Sequence, residues 1–113
     1  MNKGMSAITT HVLDAVLGKP AAGISVQLDR WDETAWTAVA TGATDGDGRC
    51  RNLAANAEFG TYRLTFGSGA YLARSGRASI YPEISITFSC DGEASYHLPL
   101  LLSDNSYTTY RGS

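Results

Sequence analysis

Two histidines and one arginine are the residues whose chemistry could amount to more than structure. His11 stands in Thr9-Thr10-His11-Val12-Leu13-Asp14, and His97 in Tyr96-His97-Leu98-Pro99-Leu100. Histidine is the side chain best suited to moving protons near neutral pH. Arg49 follows the run Asp45-Gly46-Asp47-Gly48; its permanent charge suits an anion or developing negative charge, never base chemistry. Each has a plainer reading, as a solvated imidazole or a surface charge. The last residues are harder to explain that way. Tyr107, Thr108, Thr109 and Tyr110 are strand-forming and partly aromatic, and Arg111-Gly112-Ser113 follow, whereas domain ends are usually frayed and polar. A final strand of this kind implies a terminus held in place, which would fix a guanidinium, a flexible glycine and a free carboxylate.

Other chemistries lack their residues. The sequence holds no G-x-S-x-G elbow, no H-E-x-x-H, no phosphate loop and no paired C-x-x-C. Asp45-Gly46-Asp47-Gly48 faintly resembles a calcium loop, but Arg49 and Cys50 occupy the fifth and sixth positions, where an Asp or Asn and a glycine are needed. The run reads as a tight turn.

The elements that must position these residues are strands. Ile24, Val26 and Leu28 alternate with polar neighbours, as do Tyr62, Leu64 and Phe66, and Ile84, Ile86 and Phe88. Period-2 runs of this kind mark half-buried strands. Strands are expected near 8–16, 24–31, 36–42, 49–53, 60–66, 82–90, 94–102 and 106–111, with turns at Gly18-Lys19-Pro20, at Asp45 to Gly48, and at Asp91-Gly92 as a hairpin. Tyr71 to Arg77 lacks alternation and contains helix formers before Gly76, so a short helix is expected there. The pattern predicts an all-β, two-sheet sandwich of about eight strands. In the seventh segment Tyr96, Leu98, Leu100 and Leu102 share one parity and form the core face, which turns His97 outward beside Leu101. Parity gives no clean answer for His11.

Size and composition bound the rest. The 113 residues have room for one domain, 43% hydrophobic and 18% charged, which excludes disorder. A domain this small is only marginally stable alone, so self-association is a reasonable expectation. Net charge is −2 with no basic stripe, which argues against nucleic acid as a partner. Leu98 to Leu102 is the most apolar run and falls far short of the roughly 20 residues that span a membrane. Without an apolar run suited to a signal peptide, the protein is expected to stay where it is made, in the cytoplasm, with Cys50 and Cys90 as thiols rather than a disulfide.

These same segments resemble the 5-hydroxyisourate hydrolases, the enzymatic branch of the transthyretin-like proteins. The resemblance runs from Thr9-Thr10-His11-Val12-Leu13-Asp14 through Asp47-Gly48-Arg49-Cys50, Gly60-Thr61-Tyr62 and Tyr81-Pro82-Glu83. It closes with His97-Leu98-Pro99-Leu100-Leu101-Leu102-Ser103 and Tyr110-Arg111-Gly112-Ser113, the terminal tetrapeptide being its most specific part. Asp104-Asn105-Ser106 departs from the family pattern and alters the loop before the last strand.

The resemblance implies a single transthyretin-like hydrolase domain over 1–113, assembled as a homotetramer (a dimer of dimers) with active sites in a central channel. It implies hydrolysis of 5-hydroxyisourate, a small-molecule substrate, to a ureidoimidazoline carboxylate in urate degradation. His11, Arg49 and His97 would be catalytic, with His11, Arg49, Tyr110, Arg111, Gly112 and Ser113 binding substrate. The scheme requires no metal or other cofactor, and no nucleic acid or membrane. Which histidine is the base stays open. The alternative is a transthyretin-like carrier that binds a small ligand without turnover, and a structural β-sandwich module is a third reading.

Overall fold

A computed structural model describes residues 5–113, apart from the side chain of Asn52. Among these residues the chain forms β1 (Met5–Asp14), β2 (Lys19–Pro20), β3 (Ser25–Trp31), β4 (Trp36–Ala43), β5 (Arg49–Glu58), β6 (Gly60–Phe66), α1 (Ser68–Ala73), β7 (Ile84–Cys90), β8 (Ser95–Leu102) and β9 (Tyr107–Thr109). One sheet is β4-β3-β6-β7. In the other, β1 pairs β2 and β5 on one side and β8 on the other, and β9 follows β8. The β1–β8 ladder is parallel, whereas β1 is antiparallel to β5.

Alternation explains how the two sheets meet. Ile8 and Val12 of β1 and Leu98, Leu100 and Leu102 of β8 face inward against Val26 and Leu28 of β3 and Tyr62, Leu64 and Phe66 of β6. Full burial of one such side chain contributes about 1.5–3 kcal/mol. The sandwich thus leaves the odd-numbered residues of β1 and β8, including His11 and His97, on the outer face of the first sheet. Cys50 and Cys90 are buried and form no disulfide. No helix among the described residues is long and apolar enough to cross a membrane.

Several expected boundaries move, each for a local reason. β1 stops at Asp14 because its carboxylate takes the N–H groups of Val16 and Leu17, and Gly18 turns the chain at φ 69°. β5 continues to Glu58 rather than 53; register shifts against β1 break the alternation that would have revealed it. The helix is earlier than expected, at Ser68–Ala73, and Gly76 closes the turn after it with a left-handed φ of 69°.

Asp91-Gly92 is not a hairpin. β7 pairs with β6 in one sheet while β8 pairs with β1 in the other, so the chain crosses between sheets there. Gly92 is extended at φ 159°, unlike the left-handed residues of a two-residue hairpin turn. The Tyr96 hydroxyl instead holds the crossing, accepting the N–H groups of Asp91 and Glu93 and donating to the Asp91 carboxylate.

A partly buried ion network, centred on the buried Asp14, ties the end of β1 to the loop before β9. Arg77 donates to Asp14 Oδ2 at 2.6 Å and to Asp104 Oδ1 at 2.7 Å, and Tyr71 donates to Asp14 at 2.9 Å. Asp104 belongs to the segment that departs from the family pattern, and the bond from Arg77 anchors it. Asn105 adds a second anchor by accepting the Ile80 N–H. Burial pushes the Asp14 carboxyl up, but hydrogen bonds from Arg77, the Leu17 N–H and Tyr71 outweigh it and hold the carboxyl down at about 2. A depressed carboxyl stabilises the fold above its ordinary pKa, and this contribution is lost as pH falls from about 4 through about 2. Arg77→Ala should cost about 3–5 kcal/mol, because it leaves Asp14 buried without its cation. A urea unfolding midpoint close to wild type would refute this.

Candidate active site

Arg49 is placed by the turn before it. The Asp45 carboxylate accepts the N–H groups of Asp47 and Arg49, and the Asp45 N–H returns to the Arg49 carbonyl. Gly48 closes that turn at φ 79°, where a Cβ would collide with the Val12 carbonyl oxygen. Only glycine allows β5 to start this close to β1. Arg49 then falls directly opposite His11 in the antiparallel register. Because Cys50 is buried, Arg49 points outward, onto the same face as His11.

His97 joins that face from the other side. In the parallel ladder it pairs with Thr9, and Pro99 pairs with His11. One sheet face therefore gathers Arg49 from β5, Thr9 and His11 from β1, and His97 from β8. A depression of about 200 Å³ beside Arg49 is lined by Thr9, Thr10, Arg49, Cys50 and Arg51.

The hydrogen bonds give the two imidazoles different characters. His11 Nε2 lies 2.7 Å from the Asp47 carbonyl oxygen. A carbonyl only accepts, so Nε2 carries a proton, and Nδ1 is the nitrogen of His11 without a hydrogen-bond partner among the described residues. In His97 it is Nδ1 that is engaged, 2.8 Å from the Thr9 hydroxyl, and Nε2 has no hydrogen-bond partner among the described residues. Desolvation pushes the His97 pKa below its ordinary value, and the Arg49 charge and the neighbouring His11 lower it further. His97 is therefore the imidazole held neutral, with a lone pair available, at neutral pH.

The final segment follows β8 in one continuous register. Thr109 pairs with Leu100 and Gly112 with His97, which sets Tyr110 and Arg111 opposite Pro99 and Leu98. Pro99 has no N–H to give, so the regular ladder breaks there, and the Thr109 hydroxyl donates to the Pro99 carbonyl instead. The Gly112 N–H restores pairing by donating to the His97 carbonyl at 2.7 Å. Tyr110 is 53% exposed beside this face. Arg111 points elsewhere, its guanidinium 4.6 Å over the Tyr96 ring and bonded to the Ser95 carbonyl. Ser113 is exposed next to Gly112.

Of the residues singled out by sequence, His11, Arg49, His97 and Gly112 are thus brought together, Tyr110 borders them, and Arg111 turns away within the monomer. Thr9 and the Asp47 carbonyl were not singled out. Thr9 shares the parity of His11 and could have been found from it, whereas a backbone carbonyl carries no signal in a residue type. Among the described residues, no group of three or more His, Cys, Asp or Glu side chains is placed to hold a metal ion. The arrangement supplies a neutral imidazole, a second imidazole with a fixed donor, and a cation for an anionic group. That is the equipment for hydrolysis at a carbonyl.

Comparison with known proteins gives consistent relatives. A family model described as HIUase/Transthyretin matches residues 8–112. A 5-hydroxyisourate hydrolase of Mesorhizobium japonicum is 47% identical, over 94% of this chain and 91% of its own. The solved structure of the Klebsiella pneumoniae 5-hydroxyisourate hydrolase superposes with a TM-score of 0.87 at 39% identity, covering 96% of this chain and all of that one (100%). Transthyretin from Sparus aurata superposes equally well, at 0.87 with 33% identity over 93% of this chain and 95% of its own. Backbone likeness alone therefore does not separate the hydrolases from the transthyretins.

Proposed function

Because the chain belongs to the HIUase/transthyretin family and is a hydrolase within it, we propose that it opens 5-hydroxyisourate by water attack directed from His97. The product is 2-oxo-4-hydroxy-4-carboxy-5-ureidoimidazoline, and the step belongs to urate degradation. The observation that carries this reading is the meeting of His11, Arg49 and His97 on one sheet face, which a passive carrier does not need.

In this proposal His97 Nε2 takes a proton from water as the oxygen attacks a ring carbonyl. Arg49 orients the substrate and offsets the developing oxyanion. His11, entering the step as the imidazolium with its Nε2–H fixed on the Asp47 carbonyl, delivers its Nδ1 proton to the departing ring nitrogen as the C–N bond breaks and is left neutral. Solvent returns the proton from His97 to His11. Tyr110 walls the substrate site, and Gly112 and Ser113 border it. Arg111 contributes from the rim, through the bonds that hold its segment against Ser95. The chain's own groups suffice without a cofactor.

We further propose a cytoplasmic homotetramer, a dimer of dimers, in which a second copy covers this face. Leu13 and Leu101 pair across β1 and β8 on that face and are only partly buried in one chain, which favours such a cover. The decisive measurement is the ultraviolet decay of freshly generated 5-hydroxyisourate with and without wild-type protein. Acceleration by several orders of magnitude is expected. Unchanged decay together with saturable binding would establish the carrier reading instead.

A further inference from the structure

A histidine that takes a proton at Nε2 must keep its own proton on Nδ1, and its ring must not flip. Two register partners grip the His97 ring, one from each neighbouring strand. On the β1 side the Thr9 hydroxyl lies 2.8 Å from Nδ1. On the other side Gly112 is so close that a Cβ built on it would lie 2.7 Å from His97 Cδ2 and 3.2 Å from the Pro99 ring. Nδ1 and Cδ2 are the two ring atoms flanking Cγ, so these contacts hold both sides and leave the Cε1–Nε2 edge free.

We propose that Thr9 is a positioning residue for the hydrolysis: its hydroxyl accepts the Nδ1–H of His97 and, with the bare Cα of Gly112 against the opposite side, keeps the Nε2 lone pair turned outward. This rests on His97 being the base. A ring flip would put Cδ2 where Nδ1 now lies, 2.8 Å from the hydroxyl oxygen, inside the C···O contact distance of about 3.3 Å. The Thr9 oxygen therefore selects ring orientation as well as tautomer, a role that carboxylates often fill for catalytic histidines. Thr9 is exposed on the outer face, so it has no part in the core. The side chain can be changed without disturbing the packing beneath it.

Thr9→Val keeps the shape and removes the hydroxyl, while Thr9→Ser keeps the hydroxyl. With ¹⁵N-labelled histidine and His97 neutral, wild type should show protonated Nδ1 and bare Nε2. Thr9→Val should shift His97 toward protonated Nε2 and lower kcat about tenfold, with KM changed less than about twofold and an unaltered melting temperature. Thr9→Ser should restore both the ¹⁵N pattern and kcat. Gly112→Ala, by pushing the ring, should lower kcat with Thr9 intact. A wild-type His97 protonated at Nε2, or a Thr9→Val protein with wild-type pattern and kcat, would overturn the proposal. The spectra separate it from the functional reading: an inactive wild type with protonated Nδ1 removes the reaction and leaves the ring clamp standing.

Discussion

Replacing His97 with Asn should lower kcat on 5-hydroxyisourate by about 10²–10⁴-fold, the usual worth of a positioned general base. Asn fills similar space and retains hydrogen bonding, but it cannot take a proton. The fold should survive, because His97 is only half-buried and projects away from the core defined by Leu98 and Leu100. Its melting temperature should therefore stay close to wild type, as for most substitutions outside the core. His11→Asn is the matched control: it should also impair turnover, through loss of the proton donor. If His11→Asn abolishes activity while His97→Asn retains it, His97 is not the base and the assignment proposed here fails. Wild-type turnover in both would end the hydrolytic assignment of this face.

Arg49→Met should reduce kcat/KM by about 10²–10³-fold, since it deletes the cation that offsets the oxyanion. It should also move the pH profile in a defined direction. The Arg49 charge is one of the causes that lower the His97 pKa, so removing it lets that pKa rise. A base works only when neutral; the acid limb of the profile must then shift to higher pH. Arg49→Lys keeps a charge but not the planar fork, so it should lose rate while leaving the acid limb near its wild-type position. An Arg49→Met profile that falls uniformly, with an unmoved acid limb, would mean that Arg49 does not act on His97.

Much of this was legible where a signal is local. The period-2 runs of β3, β6 and β7 follow the alternation of Val26, Leu28, Tyr62, Leu64, Phe66 and Ile84, all buried as their parity requires. The outward face of His97 followed from the same rule. Asp45 to Gly48 forms the turn its composition predicts. The errors fall where structure depends on distant residues. Asp91-Gly92 has the composition of a hairpin, but whether two strands share a sheet is decided by β1 and β6, not by the turn. The length of β5 was hidden by its register shifts against β1. The site shows the same division. His11 and His97 stand out as residue types, but Thr9 gains its role only from the ladder that places it beside His97.

That parallel ladder between β1 and β8 also sets the order of events in time. Thr9 and His97 are 88 residues apart in the chain and adjacent in the sheet. Contacts of such separation close late, because the entropy of the intervening loop is lost before they stabilise anything. The second sheet has its own antiparallel β3–β4 neighbours to form from, whereas the imidazole pair exists only once the two ends of the fold have met. During refolding from urea, recovered turnover should lag the recovery of β-sheet signal. Partly folded chains would carry every catalytic side chain and no active site.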